Sequence, residues 1–337
     1  MFTTRVSKSA NFVVALALAV LVAVPASYGQ DDKATKYFNR FLQGDYDTHV
    51  VAIQKQKTAE NGTAVIKIQR SKSGKIRQTV LSPLHLQCEI LDDGKFLKTY
   101  SPDDRVILVQ PSNQVSVDLN FRMPLIQKNY TLKAETGKKI AGRKCLTVLA
   151  TSRFSQVPNV RYHFDQSTGF PLGMDTILPS GEVISGYEVA DIKFPAKLDD
   201  SIFKIEPPVG VEVVSYKEPK GIARLADAEP QLGFTPIVPS RIPYGFQIQR
   251  ITIASEGSVR MLCLKLTDGI QKVTVFEWIY VPGEKIKTGE ASSSQIVKGL
   301  KITVISDFGS DLRESILKPF LARTDRENPG ILTSVGI

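Results

Sequence analysis

The chain has 337 residues, a formal net charge of +9, 42% apolar residues and three cysteines. That length suits two domains of about 100–200 residues each, and the apolar share is enough to build a core in both. The positive excess is spread in ones and twos, and no run of five like charges argues for nucleic acid.

The first thirty residues set the compartment. Arg5 and Lys8 precede an apolar stretch of 13 residues, Phe12 to Val24, and Pro25, Ser27 and Gly29 form a small-residue cleavage zone. This is the pattern of a secretory signal peptide, removed near Gly29. A membrane-spanning helix takes about 20 apolar residues, and no other stretch approaches that, so the processed chain is expected in the periplasm and not spanning a membrane. The cleavage zone holds no cysteine. The mature protein is therefore not expected to be a lipid-anchored lipoprotein itself.

Behind the leader, Lys33 to Leu42 places Tyr37, Phe38, Phe41 and Leu42 at helical spacing, which predicts one short amphipathic helix laid on a sheet. The period then changes to two. Ala64, Ile66 and Ile68 alternate with polar residues, as do Ile76 and Val80, and Leu86, Cys88 and Ile90. Asn61-Gly62, Ser73-Gly74, Asp93-Gly94, Thr168-Gly169 and Ser180-Gly181 punctuate these runs with the positive-φ residues of tight hairpins. An antiparallel meander results. If it curls, one face encloses either an apolar cavity or a filled core, and the pattern does not choose between them.

Seven prolines between Glu206 and Pro243 oppose both helix and central strand. A second domain then offers strands at Gln247–Ile253, Val259–Leu266, Lys272–Tyr280 and Lys301–Ile305, and a closing helix from Ser310 to about Ala322 that Pro319 kinks or shortens. The expected fold is mostly β, of the α+β class. An open, curved antiparallel sheet with covering helices comes first, followed by a smaller antiparallel sheet with a terminal helix. The expected divisions are a signal peptide at 1–29, a first domain at 30–216, a linker at 217–234, a second domain at 235–323 and a loose tail at 324–337.

No arrangement carries catalysis. His49, His85 and His163 stand alone, with no His or Cys at the spacing a shared metal needs. His163, between Tyr162 and Phe164 and near Asp165, is the candidate pH-responsive group, with a solvent-side strand residue as the plainer role. Ser315-Ile316-Leu317-Lys318 and Lys287-Thr288-Gly289 have the forms used by penicillin-recognising enzymes, but in reversed order and without the Ser-Asp-Asn between them. No cofactor or metal is expected. Cys88, Cys145 and Cys263 each lie in an apolar run and read as small hydrophobes, with a Cys88–Cys145 bridge as the alternative.

A family resemblance emerges from longer pieces. Ala141-Gly142-Arg143-Lys144-Cys145-Leu146-Thr147-Val148, Val160 to Asp165, Thr168-Gly169, Pro171-Leu172, Asp175 to Leu178 and Leu198 to Phe203 resemble the N-terminal domain of the RseB/MucB regulators. Ile242-Pro243-Tyr244-Gly245-Phe246 resembles that family's Leu-Pro-x-Gly-Phe entry to the second domain, and Thr267-Asp268-Gly269 its Asp-Gly hairpin. The resemblance implies a first domain like the LolA/LolB lipoprotein carriers, a half-barrel with an apolar concavity. It also implies a non-enzymatic periplasmic regulator that holds the periplasmic region of an anti-sigma factor, largely through the second domain, and senses lipoprotein acyl chains or lipid. Candidate cavity residues are Ile66, Ile68, Ile76, Val80, Leu86 and Ile90. A lipid carrier of the LolA kind, without an anti-sigma partner, is the alternative, and the second domain tells against it.

Overall fold

A computed structural model describes residues 31–57, 62–83, 87–112, 119–216, 219–256, 258–283, 291–306 and 308–321. The leader, the Asn61 turn residue, His85, Leu86, the Lys287-Thr288-Gly289 string and the tail all lie outside these residues.

Helix α1, Asp32–Gln43, opens the described chain. Asp31 caps it, its Oδ1 accepting from the Lys33 and Ala34 amides at 2.9 and 3.2 Å. Gly44, at φ 63°, ends it in the left-handed conformation that a residue without Cβ adopts at least cost. Ala34, Phe38 and Leu42, four apart, are its buried face. The other oxygen of Asp31 accepts from the Ala134 amide at 3.1 Å, tying the start of the helix to a strand a hundred residues away. These hydrogen bonds, the one from Ala34 foremost, hold the Asp31 carboxyl below its usual range.

The meander follows as β1 (Val50–Lys57), β2 (Thr63–Arg70), β3 (Ile76–Ser82), β4 (Glu89–Asp92), β5 (Phe96–Ser101) and β6 (Val106–Pro111). Helix α2 (Leu119–Asn129) runs into the long strand β7 (Tyr130–Ile140). Then come β8 (Arg143–Ser152), β9 (Asn159–Asp165), β10 (Pro171–Ile177) and β11 (Val183–Lys193). Strand β11 pairs with β1, so the two meanders join in the middle of one sheet. A final short strand, β12 (Glu212–Ser215), pairs parallel to β6. Among the described residues the result is one open, curved twelve-stranded sheet, ordered β12-β6-β5-β4-β3-β2-β1-β11-β10-β9-β8-β7.

The second sheet holds β13 (Gln247–Glu256), β14 (Val259–Thr267), β15 (Lys272–Ile279), β16 (Ser292–Val297) and β17 (Leu300–Ile305), ordered β13-β14-β15-β17-β16. Helix α4 (Ser310–Leu321) contains Pro319 and buries Leu312, Ile316, Leu317 and Phe320 against this sheet. The fold class read from the sequence is the one observed. Strand β16 was not anticipated, because Ser292-Ser293-Ser294 hides its alternation. Residues 217–234 are not bare connection: helix α3 (Glu229–Leu232) forms there, and Ala228 and Leu232 are buried in the core. All three cysteines are free thiols, so the Cys88–Cys145 bridge is absent. Cys145 and Cys263 are buried, and Cys88 is half-buried.

Candidate functional site

In an antiparallel sheet, directly paired residues project from the same face. The register pairs Ile66 with Val80, Ile68 with Gln78, Gln78 with Ile90, and Arg70 with Ile76. Five cavity candidates, Ile66, Ile68, Ile76, Val80 and Ile90, therefore share one face, and Leu86 lies outside the described residues. The face continues through Thr99 and Leu108 on β5 and β6, with Leu97 beside them. These apolar side chains are half-buried rather than sealed in core.

The same face can be followed the other way. Ile66 pairs with Gln54. Gln56, two residues on, pairs with Tyr187, Tyr187 with Met174, and Met174 with Tyr162. The Tyr162 ring lies 5.1 Å from both Phe38 and Phe41 of α1. One continuous face thus has two halves. Over β7 to β10 it is filled by α1 and the aromatic cluster; over β2 to β6 it presents half-buried aliphatic residues broken by Gln78 and Thr99. The opposite face of that second half is closed, since Arg77 reaches the Ile202 carbonyl at 2.9 Å and Leu91 and Phe203 are buried. At its rim stands Arg70, whose guanidinium donates to the carbonyls of Gly44, Tyr46 and Ser71 and lies 5.0 Å from the Tyr46 ring. Burial draws its pKa down.

The two sheets meet at a polar junction. Asn129 Nδ2 donates to the Asp268 and Gly245 carbonyls at 2.8 and 3.2 Å, and the Tyr130 hydroxyl donates to Asp268 Oδ2 at 2.6 Å. Arg122 Nε donates to the Gly269 carbonyl at 2.9 Å. Asp268 Oδ1 organises its own hairpin, accepting from the Ile270 and Gln271 amides. Burial pushes the Asp268 carboxyl and the Tyr130 phenol up, and the hydrogen bonds to Asp268 oppose its rise. The approach is close. A Cβ on Gly245 would stand 2.1 Å from Asn129 Oδ1, and one on Gly269 2.7 Å from Ile126 Cγ1. Both glycines have positive φ, 73° and 107°.

A family model for the MucB/RseB N-terminal domain matches residues 45–206, the span that carries β1 to β11. Residues 45–206 belong to the MucB/RseB family. No curated protein matches it in sequence. Among solved structures, MucB in complex with MucA(peri) is similar at TM-score 0.60 and 14% identity, over 84% of this chain and 96% of that one. The Pseudomonas aeruginosa MucA/MucB complex gives 0.61 and 14% over the same shares, and MucB alone gives 0.56 and 16% over 85% and 96%. At such identity the likeness is one of fold. It extends beyond the family-model span, so the order of the two sheets is part of what this chain shares.

Two of the sequence pieces behind the resemblance, Ile242–Phe246 and Thr267–Gly269, fall at the junction. Their glycines admit the Asn129 side chain and the α2 backbone. Sequence reading did not find Asn129, Tyr130 or Arg122, because nothing local marks a partner 116 to 147 residues away. Leu97 and Leu108 were within reach, since both sit in alternating runs. His163 is not a solvent-side residue in this chain. It is 3% exposed, its Nδ1 is 2.8 Å from Thr147 Oγ1, and its Nε2 is 3.3 Å from Lys138 Nζ and 3.6 Å from Asp175 Oδ2. It belongs to the face away from α1, where the Gly173 opposite it leaves room for the ring. Among the described residues no group of His, Cys, Asp and Glu gathers as a metal site, and no helix is long and apolar enough to cross a membrane.

Proposed function

We propose that this chain is a non-enzymatic periplasmic regulator. It binds the periplasmic region of an anti-sigma factor and responds to lipoprotein acyl chains or lipid held on the uncovered half of the first sheet. The two-sheet likeness to MucB, solved in complex with MucA(peri), carries the partner half of this reading. The half-buried face over β2 to β6 supports the lipid half. Each CH₂ taken from water there gains about 0.8 kcal/mol, so an acyl chain lying along Ile66, Ile68, Val80 and Ile90 would be retained without full enclosure. We assign residues 30–216 and 235–323 to the two domains, with 217–234 between them and residues 1–29 as the removed leader. The second sheet is the observation against a simple lipid carrier, which would need only the first.

The experiment is native mass spectrometry of the gently purified protein, together with displacement of a fluorescent acyl probe. Co-purified lipid or saturable probe binding, weakened by Ile68→Asn, is expected. Neither lipid nor probe binding by folded protein would remove the sensing half of the reading.

A further inference from the structure

Helix α2 carries a cation from the first sheet to the second. Arg122 stands half-buried on it, and its Nε donates to the Gly269 carbonyl at 2.9 Å, which fixes the guanidinium against the β14–β15 hairpin. Lys272 stands exposed just past the turn of that hairpin, paired with Thr267, and Lys265 lies diagonally across on the same face. Two sheets thus bring three cations to one hairpin.

Among the described residues nothing neutralises Arg122 or Lys272. No ion pair reaches either one, the terminal amino groups of Arg122 meet no acceptor, and Lys272 Nζ donates to none. Asp268 is the carboxylate of this hairpin, but it is 1% exposed and both its oxygens are engaged, Oδ2 by the Tyr130 hydroxyl and Oδ1 by the Ile270 and Gln271 amides. Lost hydration, and then the like charges of Arg122 and Lys265, hold the Lys272 ammonium below its usual range. Burial draws the Arg122 guanidinium down as well. An anion between the two would relieve the repulsion and replace the lost hydration.

We propose that this corner receives an Asp or Glu side chain from an acidic peptide segment of a bound partner, its carboxylate forking onto the free end of the Arg122 guanidinium while Lys272 closes from the side; the proposal rests on the reading of a protein partner given above. A planar guanidinium end meets a carboxylate with two parallel hydrogen bonds, and an ammonium adds a second charge without fixing direction. Charge sets the kind of segment: three cations around one buried, engaged carboxylate suit an anionic one. Position tells against the headgroup of a lipid held on the uncovered half of the first sheet. Five strands lie between β2 and β7, and over β7 to β10 that face is filled by α1 and the aromatic cluster. Because α2 leads into the first sheet and Lys272 belongs to the second, a carboxylate held by both spans the two.

Fluorescence polarisation of a short, labelled, Glu-rich peptide titrated with the purified protein reads the site. Binding is expected to weaken steeply as salt rises past ~0.1 M, where charges are screened beyond about 10 Å. Lys272→Gln should weaken it about tenfold and Lys272→Glu should abolish it, while Lys55→Gln, at an exposed lysine of β1, leaves it unchanged. Arg122→Lys keeps the charge and loses the fork, so binding should fall with the circular dichroism spectrum unaltered. Because the Lys272 ammonium holds no hydrogen bond of the fold, its variants decide if Arg122→Lys loosens the junction. A peptide that does not bind, binding untouched by Lys272→Glu, or displacement by inorganic phosphate or phosphatidylglycerol vesicles as effective as by unlabelled peptide would each overturn the proposal. The periplasmic region of an anti-sigma protein from the same genome separates the site from the partner reading. If that region binds Lys272→Glu as tightly as wild type, the site falls and the partner stands; if it fails to bind wild type while the acidic peptide binds, the partner falls and the site stands.

Discussion

Glu277 sits in the middle of β15, 1% exposed, and one of its oxygens accepts from the Ile237 amide at 2.7 Å. Its other oxygen is buried with no hydrogen-bond partner among the described groups. Burial raises its pKa from 4.5 to about 7, against the opposing pull of that single amide. Because the folded state holds the proton more tightly, this group favours folding most below its unfolded pKa, and the advantage fades as pH rises through about 7. The thermal midpoint of the wild-type protein should therefore fall between pH 5 and pH 8, by an amount corresponding to on the order of 3 kcal/mol. Glu277→Gln keeps the acceptor and removes the charge. A pH-independent midpoint in that variant is the expected result, and an unchanged slope would assign the effect elsewhere. At the junction, Tyr130→Phe takes the hydroxyl donor from Oδ2 of the buried Asp268 carboxyl, leaving Oδ1 with its two amides, which costs about 1–3 kcal/mol. Urea unfolding should show that loss.

Elements were legible wherever apolar residues recur at a regular spacing. Helix α1 announces itself by Phe38 and Leu42, because one face meets the core and the other meets water, and strands β2 and β3 by the alternation of Ile66, Ile68, Ile76 and Val80 along one half-buried face. The same legibility located the candidate face residue by residue, though not which part of it α1 would fill. Strand β16 was missed because a serine run carries no alternation, and β12 because prolines surround it. Its short parallel pairing with β6 depends on a crossover that no local pattern encodes. Asp31 shows how far one capping residue reaches, serving the amides of Lys33, Ala34 and Ala134. Asp31→Ala should cost about 1 kcal/mol for the cap and more for the tie to β7. Hydrogen exchange should then rise in α1 before it rises in β8, and equal protection in both would refute this order of events.

The whole molecule is two sheets held in one arrangement by a shared apolar core and by a few polar groups of α2, β7 and two hairpins. That arrangement decides whether a partner can touch both domains at once. Gly269→Val would force its side chain into Ile126 and the α2 backbone at a φ of 107°. Small-angle scattering of this variant should show an enlarged radius with both sheets intact by circular dichroism. The two hairpin pieces of this junction were legible in the sequence, but their pairing with α2 and β7 was not, since each of those contacts joins residues more than a hundred positions apart. Isothermal titration tests the proposed anti-sigma partner most directly. The chain lacking residues 1–29 is titrated with the periplasmic region of a single-span anti-sigma protein from the same genome. Saturable binding that weakens when the protein is pre-loaded with an acyl ligand is the predicted result. No detectable binding by folded, lipid-free protein would contradict the account.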